Sequence, residues 1–196
     1  ISVSTAGAEG NGYTTNFSIT PDGRYVVFES DATTLVANDT NSTNDLFIRD
    51  TQLNTTTRLS VSTAGVESDG NSGIGGISSD GRYVSFYSDA TNLVANDTNA
   101  SSDIFVRDTQ SNTTTRVSVS TADAQGDNSS SLSAISDDGR YVVFRSNATN
   151  LVANDTNAKN DIFIRDTQNN TTTRISVDSN GVQGDDDSYL YSYNFE

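Results

Sequence analysis

The sequence predicts an all-β protein built from repeated four-stranded antiparallel sheets stacked on their own copies, and three observations lead there. Residues 77–86, Ile-Ser-Ser-Asp-Gly-Arg-Tyr-Val-Ser-Phe, recur in near-identical form at 19–28 and 135–144, a spacing of 58 residues both times. Each copy holds an Asp-Gly pair between two apolar runs, at Asp22-Gly23, Asp80-Gly81 and Asp138-Gly139. That is a strong hairpin signal, because glycine takes the positive φ that a tight primed turn needs. After the turn, Tyr25-Val26-Val27-Phe28 and Tyr141-Val142-Val143-Phe144 are apolar at consecutive positions. Such a strand offers apolar side chains to both faces of its sheet and must be covered on both. A two-faced strand at a fixed period implies sheets packed against their own repeats.

Taken in order, residues 1–4 match 59–62, 117–120 and 175–178, so the sequence opens in the middle of a repeat. Residues 59–116 and 117–174 agree at 39 of 58 positions, which points to recent tandem duplication. In the middle repeat, strands are expected over 72–78, 82–88, 103–108 and 114–120. The first carries Gly73, Gly75 and Gly76, replaced by Ser131, Ser133 and Ala134 in the next copy. Side chains this small suit a place where neighbouring sheets crowd an axis, so this strand is expected innermost. The second and third, with apolar cores at 83–86 and 104–106, belong between sheets. The fourth alternates Val117 and Val119 with Ser118 and Ser120, the pattern of a half-exposed outer edge. The chain then reads as a single array. It has a leading outer strand at 1–4, repeat units at about 13–62, 71–120 and 129–178, and a trailing inner strand at 188–196.

The hairpin Pro/Ser-Asp-Gly-Arg-Tyr-Val-x-Phe followed by Asp-Ile-Phe-Val-Arg-Asp resembles the WD40-like propeller repeat of the TolB type, the PD40-like blade. Residues 21–28 with 45–50 carry the resemblance, as do the two later copies. It implies β-propeller-type blades of four antiparallel strands, and it implies little about function, because such blades serve unrelated roles. Blades of that family tend to be shorter. The extra length lies in the loop 88–102 and in the linker 121–130. Closed propellers need about four to eight blades, so three full repeats are expected either to belong to a longer array or to be completed by other copies of the chain.

Composition narrows the function. The chain of 196 residues is one-third apolar, has no Cys, His, Met or Trp, and carries a formal charge of −15. Without His or Cys the usual zinc, haem and iron–sulfur ligand sets are largely missing, and any metal would be held by oxygen. The acidic balance disfavours nucleic acid and anionic membranes, both of which reward Lys and Arg. No run is long enough to span a membrane, and no signal peptide opens the chain. The absence of Met suggests a processed protein or a segment of a longer one, and secretion would account for the processing.

The loop 96–103, repeated at 38–45 and 154–161, places oxygens that could wrap one hard cation per repeat, and calcium suits their flexible geometry. The candidate ligands are Asp39, Asn41 and Asp45; Asp97, Asn99 and Asp103; and Asp155, Asn157 and Asp161. The loop lacks the mid-loop Gly and terminal Glu of an EF-hand, and the plainer reading is that these residues cap turns. Leu93-Val94 and its copies read as an apolar plug for the loop. Nine of the eleven basic residues recur at three positions per repeat and read as forks pairing with recurring carboxylates such as Asp50, Asp108 and Asp166. Sequons in the turn before the fourth strand make Asn54, Asn112 and Asn170 candidates for glycosylation. The trailing segment alternates Tyr189, Tyr191, Tyr193 and Phe195 on one face, a candidate adhesive edge for strand addition to another copy.

No catalytic residue and no organic cofactor are expected, since the sequence offers no His base, Cys nucleophile or phosphate loop. The acidic cluster Asp185-Asp186-Asp187 breaks the repeat symmetry and reads as a solvated turn. The leading expectation is a non-enzymatic, self-assembling structural or adhesive protein, secreted or on the cell surface, forming a homo-oligomer or homopolymer. The alternative is a propeller module of a larger secreted protein that binds a glycan or protein. A carbohydrate-active enzyme comes third.

Overall fold

The structure, a computed structural model, describes residues 1–190. Among them are twelve strands and no helix. The first sheet contains β1 (Thr14–Ile19), β2 (Tyr25–Ser30), β3 (Asp45–Asp50) and β4 (Thr55–Arg58). The second contains β5 (Ser72–Ile77), β6 (Tyr83–Ser88), β7 (Asp103–Asp108) and β8 (Thr113–Arg116). The third contains β9 (Ser130–Ile135), β10 (Tyr141–Ser146), β11 (Asp161–Asp166) and β12 (Thr171–Arg174). In each sheet the strands lie side by side in chain order and every pair is antiparallel. These are three propeller-type blades, as the repeat pattern predicts.

The second and third strands of each blade form its centre. Phe28 stacks on Phe47, Phe86 on Phe105 and Phe144 on Phe163, with ring centroids 5.6–5.8 Å apart. All six rings are buried, and residues of adjacent blades join one apolar cluster, in which Val27, Leu46 and Ile48 of the first blade meet Val84 and Phe86 of the second. Leu35, Leu93 and Leu151 are buried as well, so each long loop is pinned by its apolar plug.

First strands of adjacent blades face one another, and the small residues there are required by contact. A Cβ on Gly75 would sit 1.9 Å from Ser133 Oγ, and one on Gly73 would sit 2.2 Å from the Tyr87 ring. Each blade is also keyed to the next at its hairpin. A Cβ on Gly81 would lie 2.2 Å from the Tyr25 ring, and one on Gly139 would lie 2.5 Å from Tyr83. A backbone bond runs between blades too, from Ser72 N to Asn44 O and from Ser130 N to Ser102 O.

Two details differ from the sequence reading. The hairpin turn is longer than a primed two-residue turn. Thr20 N donates to Tyr25 O and Gly23 N to Thr20 O, and of the Asp-Gly pair only the glycine takes a positive φ, +71° at Gly23. The aspartate serves the turn instead by accepting from the Thr20 hydroxyl and from Arg24 N, which holds its carboxyl below the ordinary value. The fourth strand is shorter, ending at Arg116, and Val117 and Val119 are both buried rather than half of an exposed edge. The chain leaves the sheet there and runs along the fourth strand of the next blade, where Thr172 Oγ1 donates to Val119 O and Val119 bridges Gln125. Of the trailing strand, residues 188–190 are described without strand pairing, and the rest lies outside the described residues.

Candidate functional site

Two parts of each blade gather polar residues, and they differ in kind. The first is the junction between the long loop and the following linker. Asp103, at the start of β7, accepts from the Ser118 hydroxyl at 2.6 Å and from Arg116 Nη1 at 3.2 Å. Asp97 lies 3.3 Å from the same Arg116 nitrogen, and Gln125 Nε2 donates to both carboxylates. Asn99 donates its amide to Gly126 O and, at 3.4 Å, to Asp103. The first blade repeats this with Asp39, Asp45 and Arg58, its Asn41 donating to Ser68 O and Asp45. The third repeats it with Asp155, Asp161 and Arg174, its Asn157 donating to Gly184 O.

The nine residues named as cation ligands are therefore brought together in three groups, each with a guanidinium between its carboxylates. In the first group Glu67 replaces the glutamine and reaches Arg58 at 2.8 Å. Burial pushes Asp39, Asp97 and Asp155 above the ordinary carboxylate value. Asp97 Oδ2 and Asp155 Oδ1 are buried without a hydrogen-bond partner. Among the described residues no group of three or more acidic side chains is arranged to hold a metal ion.

The recurring arginines divide the work three ways, which the sequence did not resolve. Arg24, Arg82 and Arg140 pair with Asp50, Asp108 and Asp166 at 2.7–2.9 Å and hold those carboxyls well below the usual range. Arg58, Arg116 and Arg174 serve the loops, as above. Arg49, Arg107 and Arg165 tie the preceding linker down through Ser4 O, Ser62 O and Ser120 O. They also donate to the side-chain oxygens of Asn54, Asn112 and Asn170. Those three asparagines sit in exposed turns at left-handed φ of 55–58°. Tyr189 is 60% exposed, with its ring 5.2 Å from the Arg145 guanidinium of the third blade. Tyr191, Tyr193 and Phe195 lie outside the described residues.

The second polar region is where the blades stop being alike. The 58-residue repeats diverge most over the linker and first strand, and at the fifth position of the second strand, which is Glu29, Tyr87 and Arg145. Here each first strand carries a β-bulge, between Thr15 and Phe17, between Ile74 and Gly76, and opposite the Phe144–Arg145 step. Bulges re-aim side chains and gather near binding sites. Asn16 and Leu132 take positive φ at them, 25° and 47°, a conformation costly for leucine. Glu29 is buried and accepts from Ile74 N of the next blade, and from Thr15 and Asn16 of its own. Tyr87 lies against Gly73, and Arg145 Nε is buried without a partner. Sequence reasoning passed over this inner rim, although the divergence between copies marked it.

Stacked four-stranded antiparallel blades, each keyed to the next at its hairpin, define the β-propeller class. Solved structures agree. The chain is similar in fold to TolB from Acinetobacter baumannii, at 15% identity over 86% of this chain and 33% of that one, with a TM-score of 0.49. It is similar to a protein described as TolB from Agrobacterium tumefaciens, at 18% identity over 85% of this chain and 48% of that one, TM-score 0.53. The β-propeller domain of the trilobed protease from Pyrococcus furiosus matches at 16% identity over 83% of this chain and 41% of that one, TM-score 0.50. The chain thus spans less than half the length of these structures. At such identities the likeness is one of fold. No protein-family model matches the chain, and no curated protein sequence matches it.

Proposed function

We propose that these blades form part of a non-catalytic β-propeller module of a larger secreted protein, and that the module binds a protein segment at its inner rim. One observation carries this reading. The framework repeats almost unchanged, whereas the bulged first strands and Glu29, Tyr87 and Arg145 differ from blade to blade. A scaffold has no need of that difference, and a binding surface does, because a ligand without the repeat's own symmetry requires different groups from each blade. Tyr87 and Arg145, half-buried at equivalent positions, offer an aromatic and a cationic side chain that suit a mixed peptide surface, while Glu29 at the third is buried and bonded within the rim. The Asn-Asp-Thr-Asn loops, by contrast, are nearly identical and hydrogen-bonded within themselves.

A random peptide library panned on the chain, in parallel with a glycan array, tests the reading. Enriched peptides should lose binding to Tyr87→Ala and keep it with Thr57→Ala on the outer strand. Binding confined to glycans, or indifferent to Tyr87, would contradict the proposal.

A further inference from the structure

The arginines that tie down the linkers differ in one contact, and the difference marks a place for a ligand. Arg165 Nη1 donates to Ser120 O, Asn170 O and Thr172 Oγ1, and its Nη2 donates to Asn170 Oδ1. Arg107 repeats the set with Ser62 O, Asn112 O, Thr114 Oγ1 and Asn112 Oδ1. Arg165 Nη2 has one partner more, the Asp123 carboxylate at 2.8 Å. The residue in register with Asp123 is Gly65, and nothing lies within 4 Å of its Cβ position. Gly7, Gly65 and Gly181 hold this turn at φ of 79–84°, in the left-handed region that favours glycine. Asp123 takes it at 58°, so a carboxylate reaches the arginine of the second junction in spite of the backbone. At the first junction Arg107 is 6% exposed and, among the described residues, no carboxylate pairs with it, the adjacent Asp108 being held by Arg82. Burial opposes its charge, and a buried charge without a counter-charge is costly.

Arg107 also lines a cavity of about 240 Å³ between the first two blades. The first blade supplies apolar wall from Tyr25, Ile48 and Leu59, and the second supplies Thr109 and Asn112 beside the arginine. The other charged lining residues already have partners, Asp50 in Arg24 at 2.9 Å and Arg58 in Asp45 and Glu67. We propose that this cavity binds a small carboxylate, one oxygen of which takes at Arg107 Nη2 the place that Asp123 takes at Arg165. A guanidinium holds such a group through charge-assisted hydrogen bonds, and the apolar wall receives its stem. The volume lies below the range of about 300–1,000 Å³ typical of sites for drug-sized ligands. It therefore suits a short organic acid or one acidic side chain, and excludes an oligosaccharide. The site lies toward the outer strands, where Thr55 and Thr57 of β4 line it, so it stands apart from the inner rim and does not depend on peptide binding there.

Titration of the 196-residue chain with succinate, and separately with the capped peptide acetyl-Gly-Asp-Gly-amide, can be followed by NMR at the Asn112 side-chain amide and the Gly65 backbone amide. Saturable shifts at both amides are expected. Tighter binding of succinate would name a free acid as the source of the carboxylate, tighter binding of the peptide a protein segment, and either upholds the site. Gly65→Asp reproduces the second junction and should weaken binding at Asn112 at least about tenfold, because a tethered carboxylate competes at high effective concentration. Asp123→Gly frees Arg165 and should bring the Asn170 side-chain amide into the titration. The proposal is overturned by an Asn112 amide that neither probe shifts, or by shifts that chloride at the same ionic strength reproduces. Binding unchanged in a folded Gly65→Asp variant, or an Asn170 amide that stays silent in Asp123→Gly, would overturn it equally.

Discussion

Single residues in this protein are explained by what the neighbouring blade places against them. Gly81 has a positive φ of 74° and a tyrosine ring where its Cβ would be, whereas Gly65 has a φ of 79° with open space around it. Alanine pays backbone strain at both and a clash only at Gly81. Gly81→Ala should therefore lower stability by about 2–4 kcal/mol, and Gly65→Ala by about 1 kcal/mol. Urea titrations of the two variants check the difference, and equal costs would remove Tyr25 from the account. The carboxylates divide similarly. Hydrogen bonds from Arg82 hold Asp108 down to about 2, below its ordinary 3.8, and Asp50 and Asp166 are lowered in the same way. A group lowered on folding adds stability above its unfolded value and loses it as pH falls through its folded value. Burial raises Asp39, Asp97 and Asp155, which have the opposite sign: their charge opposes folding at neutral pH, and protonation relieves it. The melting temperature should thus fall steeply below about pH 4, where the lowered carboxyls are protonated, whereas protonation of the raised group on the way down from neutral pH should raise it. A steady decline from neutral pH would show that the raised group does not act as described.

At the scale of elements, the sequence was legible wherever a pattern was local. The second and third strands showed themselves by consecutive apolar residues, and the structure pairs them with Val84 opposite Arg107 and Phe86 opposite Phe105. The small first strand was placed innermost for the reason the structure gives, the 1.9 Å approach at Gly75. The end of the fourth strand was misread because alternation of Val and Ser looks the same whether the valines face their own sheet or lie in the segment that runs along the next blade. Arginine pairing with Asp50, Asp108 and Asp166 was legible, but which of the three arginines in each repeat makes it was not, since all recur with the same period and only packing separates their partners. In the loops, spacing alone suggested oxygens around a cation, whereas the fold places Arg116 between Asp97 and Asp103. Calcium at these loops is a proposal that rests on Asp97 Oδ2, a buried oxygen without a hydrogen-bond partner. If the ion is taken up, adding it to chelator-treated protein should release or absorb heat and raise the melting temperature. No heat and no shift would dispose of it.

At the scale of the molecule, near-identical blades make a scaffold, and the places where they differ mark what the scaffold presents. The inner rim was visible in the sequence only as disagreement between copies, a signal without chemistry until the bulges and Glu29, Tyr87 and Arg145 are seen at equivalent places. Each junction is built once and reused, so exchanging rim residues between blades leaves the framework contacts in place. The most direct measurement is therefore binding of library-selected peptides to a chain in which Ser131→Gly and Arg145→Tyr give the third blade the tyrosine of the second, with the glycine that makes room for its ring. The account predicts that selected peptides bind this variant at least about tenfold more weakly, with its melting temperature close to that of the parent. Undiminished binding by the variant would contradict it.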